Sequence, residues 1–272
     1  MSDKLYSEMP MIALRGLVIF PSVQLHFDVG RAKSLAAVNE AMSRDRLVFL
    51  AAQKDLCDDD PAPDGVYEVG CVTRIKQIIR LPDNGMRVVA EGLFKARRLR
   101  IVSDNPVNIA EVEPIKDKIG RGSASFRAAL MRTLKDEFEG YAAENRKISP
   151  DVILYVASNN DFWAISEYIA ANVPFTYEVK QKVLEETNPL KRLEYVIANL
   201  KNETEILKLE HEIEHKVHES MDENQRDYYL REQMKVISEE LGEDEDPEEE
   251  AEQYRKKIAA LSAKDEIKER LN

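Results

Sequence analysis

Two hydrophobic periodicities divide the chain. From residue 10 to 115, apolar positions come in short runs rich in β-branched and aromatic side chains: MIALRGLVIFP, VQLHFDV, RLVFLAA, GCVTRIKQIIRL, MRVVAEG, ARRLRIV and VNIAEVE. Runs of this length bounded by turn residues read as strands. Between the second and third, RAKSLAAVNEAMSRD has helical spacing at Leu35, Val38 and Met42. In LPDNGM, the Asn84-Gly85 pair suits a tight hairpin turn, whose two central residues need positive φ. The pattern predicts about six or seven strands and one helix, closed or half-closed into a small twisted sheet.

The segment KIGRGSAS, residues 118–125, marks a boundary, and beyond it the spacing turns helical. Ser149-Pro150 and Asn188-Pro189 each place a capping residue before a proline at the first helical position. Asn172-Val173-Pro174 breaks the chain between two helices. Residues 124–188 therefore predict a bundle of about four short helices, with the lone Trp163 in its core. From Lys191 through Leu241 there is neither glycine nor proline. Pro189 to Leu241 then reads as one helix about 80 Å long at 1.5 Å per residue. Globular helices run about 8–20 residues, so this one is expected to leave the bundle. GEDEDPEEE follows as an acidic turn, EEEAEQYRKKIAALSA restarts a helix that folds back, and Ser262 to Asp265 opens another. The expected fold class is α+β in four parts. These are a β-rich pseudo-barrel (1–118), a helical bundle (119–188), a long protruding helix (189–241), and an acidic turn with a cut-off helical hairpin (242–272).

On a helical wheel Ile206, Leu209, Ile213, Val217, Met221 and Tyr228 fall in an arc about 120° wide. Beyond Tyr228 the stripe passes to Leu230, Met234, Ile237 and Leu241, about 120° further round. A shifted stripe implies two packing partners. The first half is expected to rest partly on the bundle through Ile206, Ile213 and Val217. The second half is expected to expose Leu230, Met234 and Ile237. Ile206, Ile213, Val217, Met221, Leu230, Met234 and Ile237 are the candidate partner-helix contacts.

The same helix carries HEIEHKVHES, a literal H-E-x-x-H match. In zinc hydrolases two such histidines bind the metal and the glutamate works on bound water. Here His211, His215 and His218 share the charged side, opposite the apolar arc. Ligands at i and i+7 stand about 10 Å apart along a straight axis, and metal–nitrogen bonds of about 2 Å cannot span that. The stretch reads as a solvated helix face, where two histidines could still capture stray metal. No metal, cofactor-binding or catalytic residue is assigned. Phosphate-loop, nucleophile-elbow and CxxC patterns are missing from the sequence.

Charge sharpens the division. Residues 189–272 carry 14 Lys/Arg and 24 Asp/Glu of the chain's 39 and 51, leaving the first 188 residues nearly neutral. An acidic balance argues against nucleic acid as partner, so Lys95, Arg97, Arg98 and Arg100 read as one polar strand face. Cys57 and Cys71 form neither a disulfide framework nor a thiolate site. The start MSDKLYSEMP is not a signal peptide, and no apolar run approaches 18 residues. A cytoplasmic protein with no membrane partner is expected.

Several stretches resemble one family. MIALRGLVIFPSVQLHFDVGRAKSLAAVNEAM and CVTRIKQIIRLPDNGMRVVAEGLFKARRLRIV resemble the PUA-like N-terminal domain of bacterial Lon, the ATP-dependent protease. VKQKVLEETNPLKRLEYVIANL and QRDYYLREQMKVISEELGEDED resemble its helical subdomain and long exit helix. The likeness runs from about residue 9 to 250. One departure is Gly16, where the family pattern carries an acidic residue. The resemblance implies the substrate-recognition and hexamer-assembly region of a fused machine that degrades misfolded, damaged and short-lived regulatory proteins. Its partners would be unfolded polypeptide and further copies of itself. ATP, Mg, the motor's phosphate loop and the serine–lysine dyad would belong beyond Asn272. The alternatives are a zinc hydrolase built on HEIEH and a stand-alone adaptor with a small-molecule pocket in the β domain.

Overall fold

The computed structural model describes residues 7–82, 84–118, 122–145, 147–241 and 247–260. By contact the chain divides into two units, Met1–Lys208 and Leu209–Asn272.

Unit 1 begins with six strands: β1 (Ser7–Leu14), β2 (Gln24–Val29), β3 (Leu47–Ala52), β4 (Val69–Arg80), β5 (Met86–Ser103) and β6 (Ile109–Pro114). Their order is β2-β5-β4-β3-β1-β6, and β6 pairs back onto β5. Five strands thus close a ring, the expected pseudo-barrel, and β2 lies along part of β5. β1 and β3 run parallel, and α1 (Ala32–Ser43) lies in the connection between them. Closure works because β5 serves two neighbours in succession. Its first part, Met86 to Glu91, pairs with β2, and Ala96 to Ser103 pairs with β6. The sequence suggested two strands here, MRVVAEG and ARRLRIV; the structure runs them into one. Gly92 is the pivot. A Cβ at this position would lie 2.1 Å from the Phe20 carbonyl oxygen. The absent side chain lets Ser22 N–H donate to the Gly92 carbonyl and Gly92 N–H donate to Val23, each near 2.9 Å.

The β4–β5 connection is longer than the two-residue turn expected from Asn84-Gly85. Arg80 faces Met86, Leu81 N–H donates to the Gly85 carbonyl, and Asn84 takes φ +62°. Gly16 takes φ +66°, so the departure from the family pattern falls where a left-handed backbone favours glycine.

Two apolar clusters fill the β part. Ala37, Val38 and Ala41 of α1 pack on Ile12, Leu50, Ile75 and Val88, while Met9, Met11, Phe49, Val72 and Val112 form the other. Met42, expected on the buried face of α1, is exposed. The fully buried positions of α1 are Ala37, Val38 and Ala41, and Leu35 packs half-buried beside them.

Four helices follow: α2 (Ala124–Glu144), α3 (Pro150–Ser158), α4 (Phe162–Asn172) and α5 (Tyr177–Glu185). The start of α3 follows its sequence cue, and α2 and α4 are capped as well. Ser123, Ser149 and Asp161 side chains accept from Phe126, Asp151 and Trp163 N–H. Asn188 likewise accepts from Leu190 N–H, opening α6 (Pro189–Leu241), a single helix of 53 residues. Leu134, Phe138, Ile165, Ile169, Leu184, Leu193, Val196 and Leu200 form the bundle core, joined by Val18, Phe20, Ala52 and Val69 from the β part. Sheet and bundle therefore share one core, and each fully buried aliphatic side chain contributes about 1.5–3 kcal/mol. Trp163 is not in that core; it is 39% exposed, and its neighbour Phe162 packs inward instead. In unit 2, α7 (Pro247–Ala260) confirms the restarted helix. Residues 242–246 of the acidic turn and Ser262 to Asp265 lie outside the described residues.

Candidate functional site

The apolar stripe on α6 was the candidate contact surface, and its residues divide at the end of unit 1. Leu193, Val196 and Leu200 are buried, and Leu207 packs half-buried against the same core. Leu200 to Leu207 spans seven residues, about two turns, and so keeps one face. Ile206 lies about 100° round from that face and is 40% exposed. Within unit 1, Leu207 and not Ile206 packs on the bundle; Ile213 and Val217, in unit 2, are 60% and 51% exposed. Met221, Leu230, Met234 and Ile237 are exposed as well. The stripe from Ile213 to Ile237 is thus an unusual concentration of uncovered apolar side chains on one helix.

HEIEHKVHES forms part of the same exposed helix. His211, Glu212, His215 and His218 are all exposed, and His215 Nδ1 lies 3.5 Å from Glu219 Oε2, one turn on. Among the described residues no three His, Cys, Asp or Glu side chains are grouped to hold a metal.

Of the charged residues with the most structure around them, only Lys95 was singled out in the sequence. Arg192, in the first turn of α6, is fully buried. Its guanidinium donates through Nη2 to Asp117 Oδ2 at 2.7 Å and through Nη1 to Glu167. Lys95 Nζ meets the same two carboxylates, at 2.5 Å from Asp117 Oδ1 and 3.3 Å from Glu167 Oε1. Two cations and two anions from β5, the β6–α2 connection, α4 and α6 thus form a balanced quartet. Low dielectric makes each pairing strong, and it makes removal of any one member costly. Separately, Gln181 of α5 donates to the Val69 carbonyl at 2.9 Å and to Glu185. The quartet corrects the reading of Lys95, Arg97, Arg98 and Arg100 as one polar face. Lys95 is buried, Arg97 and Arg100 are exposed, and Arg98 reaches the Pro63 and Val66 carbonyls. Register shifts in the β5–β6 pairing, between Arg98 and Arg100 among others, break the simple alternation.

A cleft of 360 Å³ opens beside the start of α1, with Arg15, Arg31, Asp28 and Asp59 at its edge. Its cations are engaged within the chain: Arg15 pairs with Asp59, and Arg31 donates to Gln53 Oε1 at 2.9 Å. Cys71 of β4 is buried, and burial pushes its thiol up to about 12. Cys57 is exposed, and both cysteines are free.

None of these features is a catalytic constellation, and relatives carry the identification further. Residues 8–202 match the family described as the ATP-dependent protease La (LON) substrate-binding domain. The chain is 38% identical over 253 residues to the Lon protease of Syntrophomonas wolfei, covering 93% of this chain and 31% of that protein. Against Lon protease 1 of Bacillus subtilis it is 35% identical over 269 residues, 99% of this chain and 34% of that one. The chain therefore spans about a third of the length of the curated relatives it matches. Among solved structures, the N terminal domain of Mycobacterium avium complex Lon protease aligns with a TM-score of 0.59 at 18% identity, over 72% of this chain and 98% of that one. At that identity the likeness is one of fold, and it agrees with the pseudo-barrel and bundle described above. The family match takes in almost all of unit 1, and the curated relatives extend it through most of unit 2: the chain belongs to the Lon substrate-binding domain family.

Proposed function

We propose that this chain is the substrate-engaging and assembly region of an ATP-dependent serine protease of the Lon kind. In this reading residues 1–118 and 119–188 engage misfolded, damaged or short-lived regulatory proteins. Residues 189–241 carry that engagement toward the motor and pack against neighbouring copies in a hexamer. Residues 242–272 lead on to the motor. ATP and Mg serve that motor, outside this chain, and peptide-bond hydrolysis belongs to a serine–lysine pair also outside it. The setting is the cytoplasm; no helix among the described residues is long and apolar enough to cross a membrane.

The observation that carries the reading is the family match over residues 8–202. The exposed stripe from Ile213 to Ile237 supports the assembly role, since apolar residues at three- and four-residue spacing invite a partner helix. The test is incubation of the chain with unfolded casein, with and without ATP and Mg. The expected result is retained, uncleaved casein in every arm. Degradation by the chain alone would overturn the division of labour, and zinc-dependent degradation lost in Glu212→Gln would place a hydrolase on HEIEH.

A further inference from the structure

We propose that the groove between α2 and the start of α4 binds acidic polypeptide segments that carry one large apolar side chain. This deepens the substrate-engaging reading and rests on it. The groove encloses 550 Å³, within the usual range for a site that seats a ligand of several side chains. Met131 and Phe162 give it an apolar floor, and Arg127, Arg132, Lys135 and Asn160 form its rim.

The rim argues for the occupant's charge. It carries three cations against one carboxylate, Asp136, in a chain whose net charge is −12. Arg127 and Arg132 make no ion pair and no side-chain hydrogen bond with any described residue, unlike Arg15, Arg31 and Arg192. Lys135 is anchored, but by neutral acceptors: its Nζ donates to the Ala157 carbonyl at 2.8 Å and to Asn160 Oδ1 at 2.9 Å. Its charge therefore stays uncancelled while its position is fixed. The floor argues for the anchor. Met131 adapts its shape to varied apolar groups, and an aromatic or long aliphatic side chain laid on Met131 and Phe162 would bring flanking carboxylates to the arginines. Guanidinium groups recognise carboxylates bidentately.

The test is fluorescence anisotropy with a labelled peptide Asp-Glu-Phe-Asp-Glu and a counterpart in which lysine replaces each acidic residue. The whole chain is expected to bind the acidic peptide at least tenfold more tightly, and added salt should weaken that binding. Arg127→Glu with Arg132→Glu, and separately Ala128→Glu at the exposed edge of the floor, should each lower affinity tenfold or more. Arg74→Glu with Arg80→Glu on β4 alters net charge equally and should change affinity less than twofold. Equal binding of the two peptides would overturn the inference. So would unchanged affinity in the groove variants, or an equal loss in the β4 variant. Unfolded casein in parallel separates the two levels. If casein binds and the acidic peptide does not, the groove assignment falls and the substrate-engaging reading stands. If neither binds, both fall.

Discussion

Arg192→Met offers a sharp test of how the β part and the bundle are held together. The side chain is wholly buried and bonded to Asp117 and Glu167. Methionine fills much of the same volume, so the change removes charge more than packing. It leaves two carboxylates, 17% and 10% exposed, sharing Lys95 alone. Removing one partner from a buried pair costs about 3–5 kcal/mol, a large share of the roughly 5–15 kcal/mol that stabilises a domain. At about 2–4 °C per kcal/mol for a unit of this size, the melting temperature should fall by roughly 6–20 °C. Urea unfolding followed by Trp163 fluorescence and by circular dichroism measures this, and the two probes should still coincide in the parent protein because the core is shared. The decisive comparison is Arg192→Met combined with Glu167→Gln. That pair restores one cation facing one anion, so it should be at least about 1 kcal/mol more stable than the sum of the single costs implies. Additivity of the two changes, or an Arg192→Met cost below about 1 kcal/mol, would refute the quartet as a coupled unit.

Three further outcomes follow from the geometry. A thiol reagent at pH 8 should titrate one cysteine in the native protein and two in urea. The reason is that burial holds Cys71 protonated until about 12, whereas an exposed thiol titrates near 8.5; two native equivalents would contradict its placement. Gly92→Ala should destabilise by about 3 kcal/mol or more in urea, at or beyond the top of the range for overpacking; a cost under about 1 kcal/mol would mean that β5 does not approach Phe20 as described. Met234→Glu with Ile237→Glu should lower self-association in sedimentation at several concentrations while leaving the melting of unit 1 nearly unchanged, and His211→Ala with His215→Ala should alter neither. Association unchanged by the Met234/Ile237 variant would remove this face of α6 from assembly.

Local signals in the sequence carried much of the architecture. Capping residues before proline located the starts of α3 and α6, and the run without glycine or proline from Lys191 to Leu241 located the body of α6. What escaped the sequence was non-local. Gly92 looks like a strand break, because its close approach to Phe20 depends on a contact 72 residues back in the chain. Lys95, Asp117, Glu167 and Arg192 are 22 to 75 residues apart along their hydrogen-bonded pairs, and only the closed fold brings them together. One signal was available: Arg192 sits between Leu190 and Leu193, at the start of a helix whose neighbouring apolar residues are all core. The seven residues named on α6 were legible as a stripe, but their mutual spacing could not show that the bundle face runs through Leu207 and not through Ile206. The cationic groove on α2 was hidden for a similar reason, since Phe162 and Asn160 reach it from another element.

In the proposed function this chain recognises non-native polypeptide without acting on it. The most direct measurement compares one protein in two states, disulfide-reduced and alkylated α-lactalbumin against its native form, in equilibrium binding to residues 1–272 by anisotropy. Product peptides should be sought by mass spectrometry in the same samples. The expected result is saturable binding of the unfolded form, at least tenfold weaker binding of the native form, and intact α-lactalbumin throughout. Equal affinity for the two states, or cleavage of either by this chain, would contradict it.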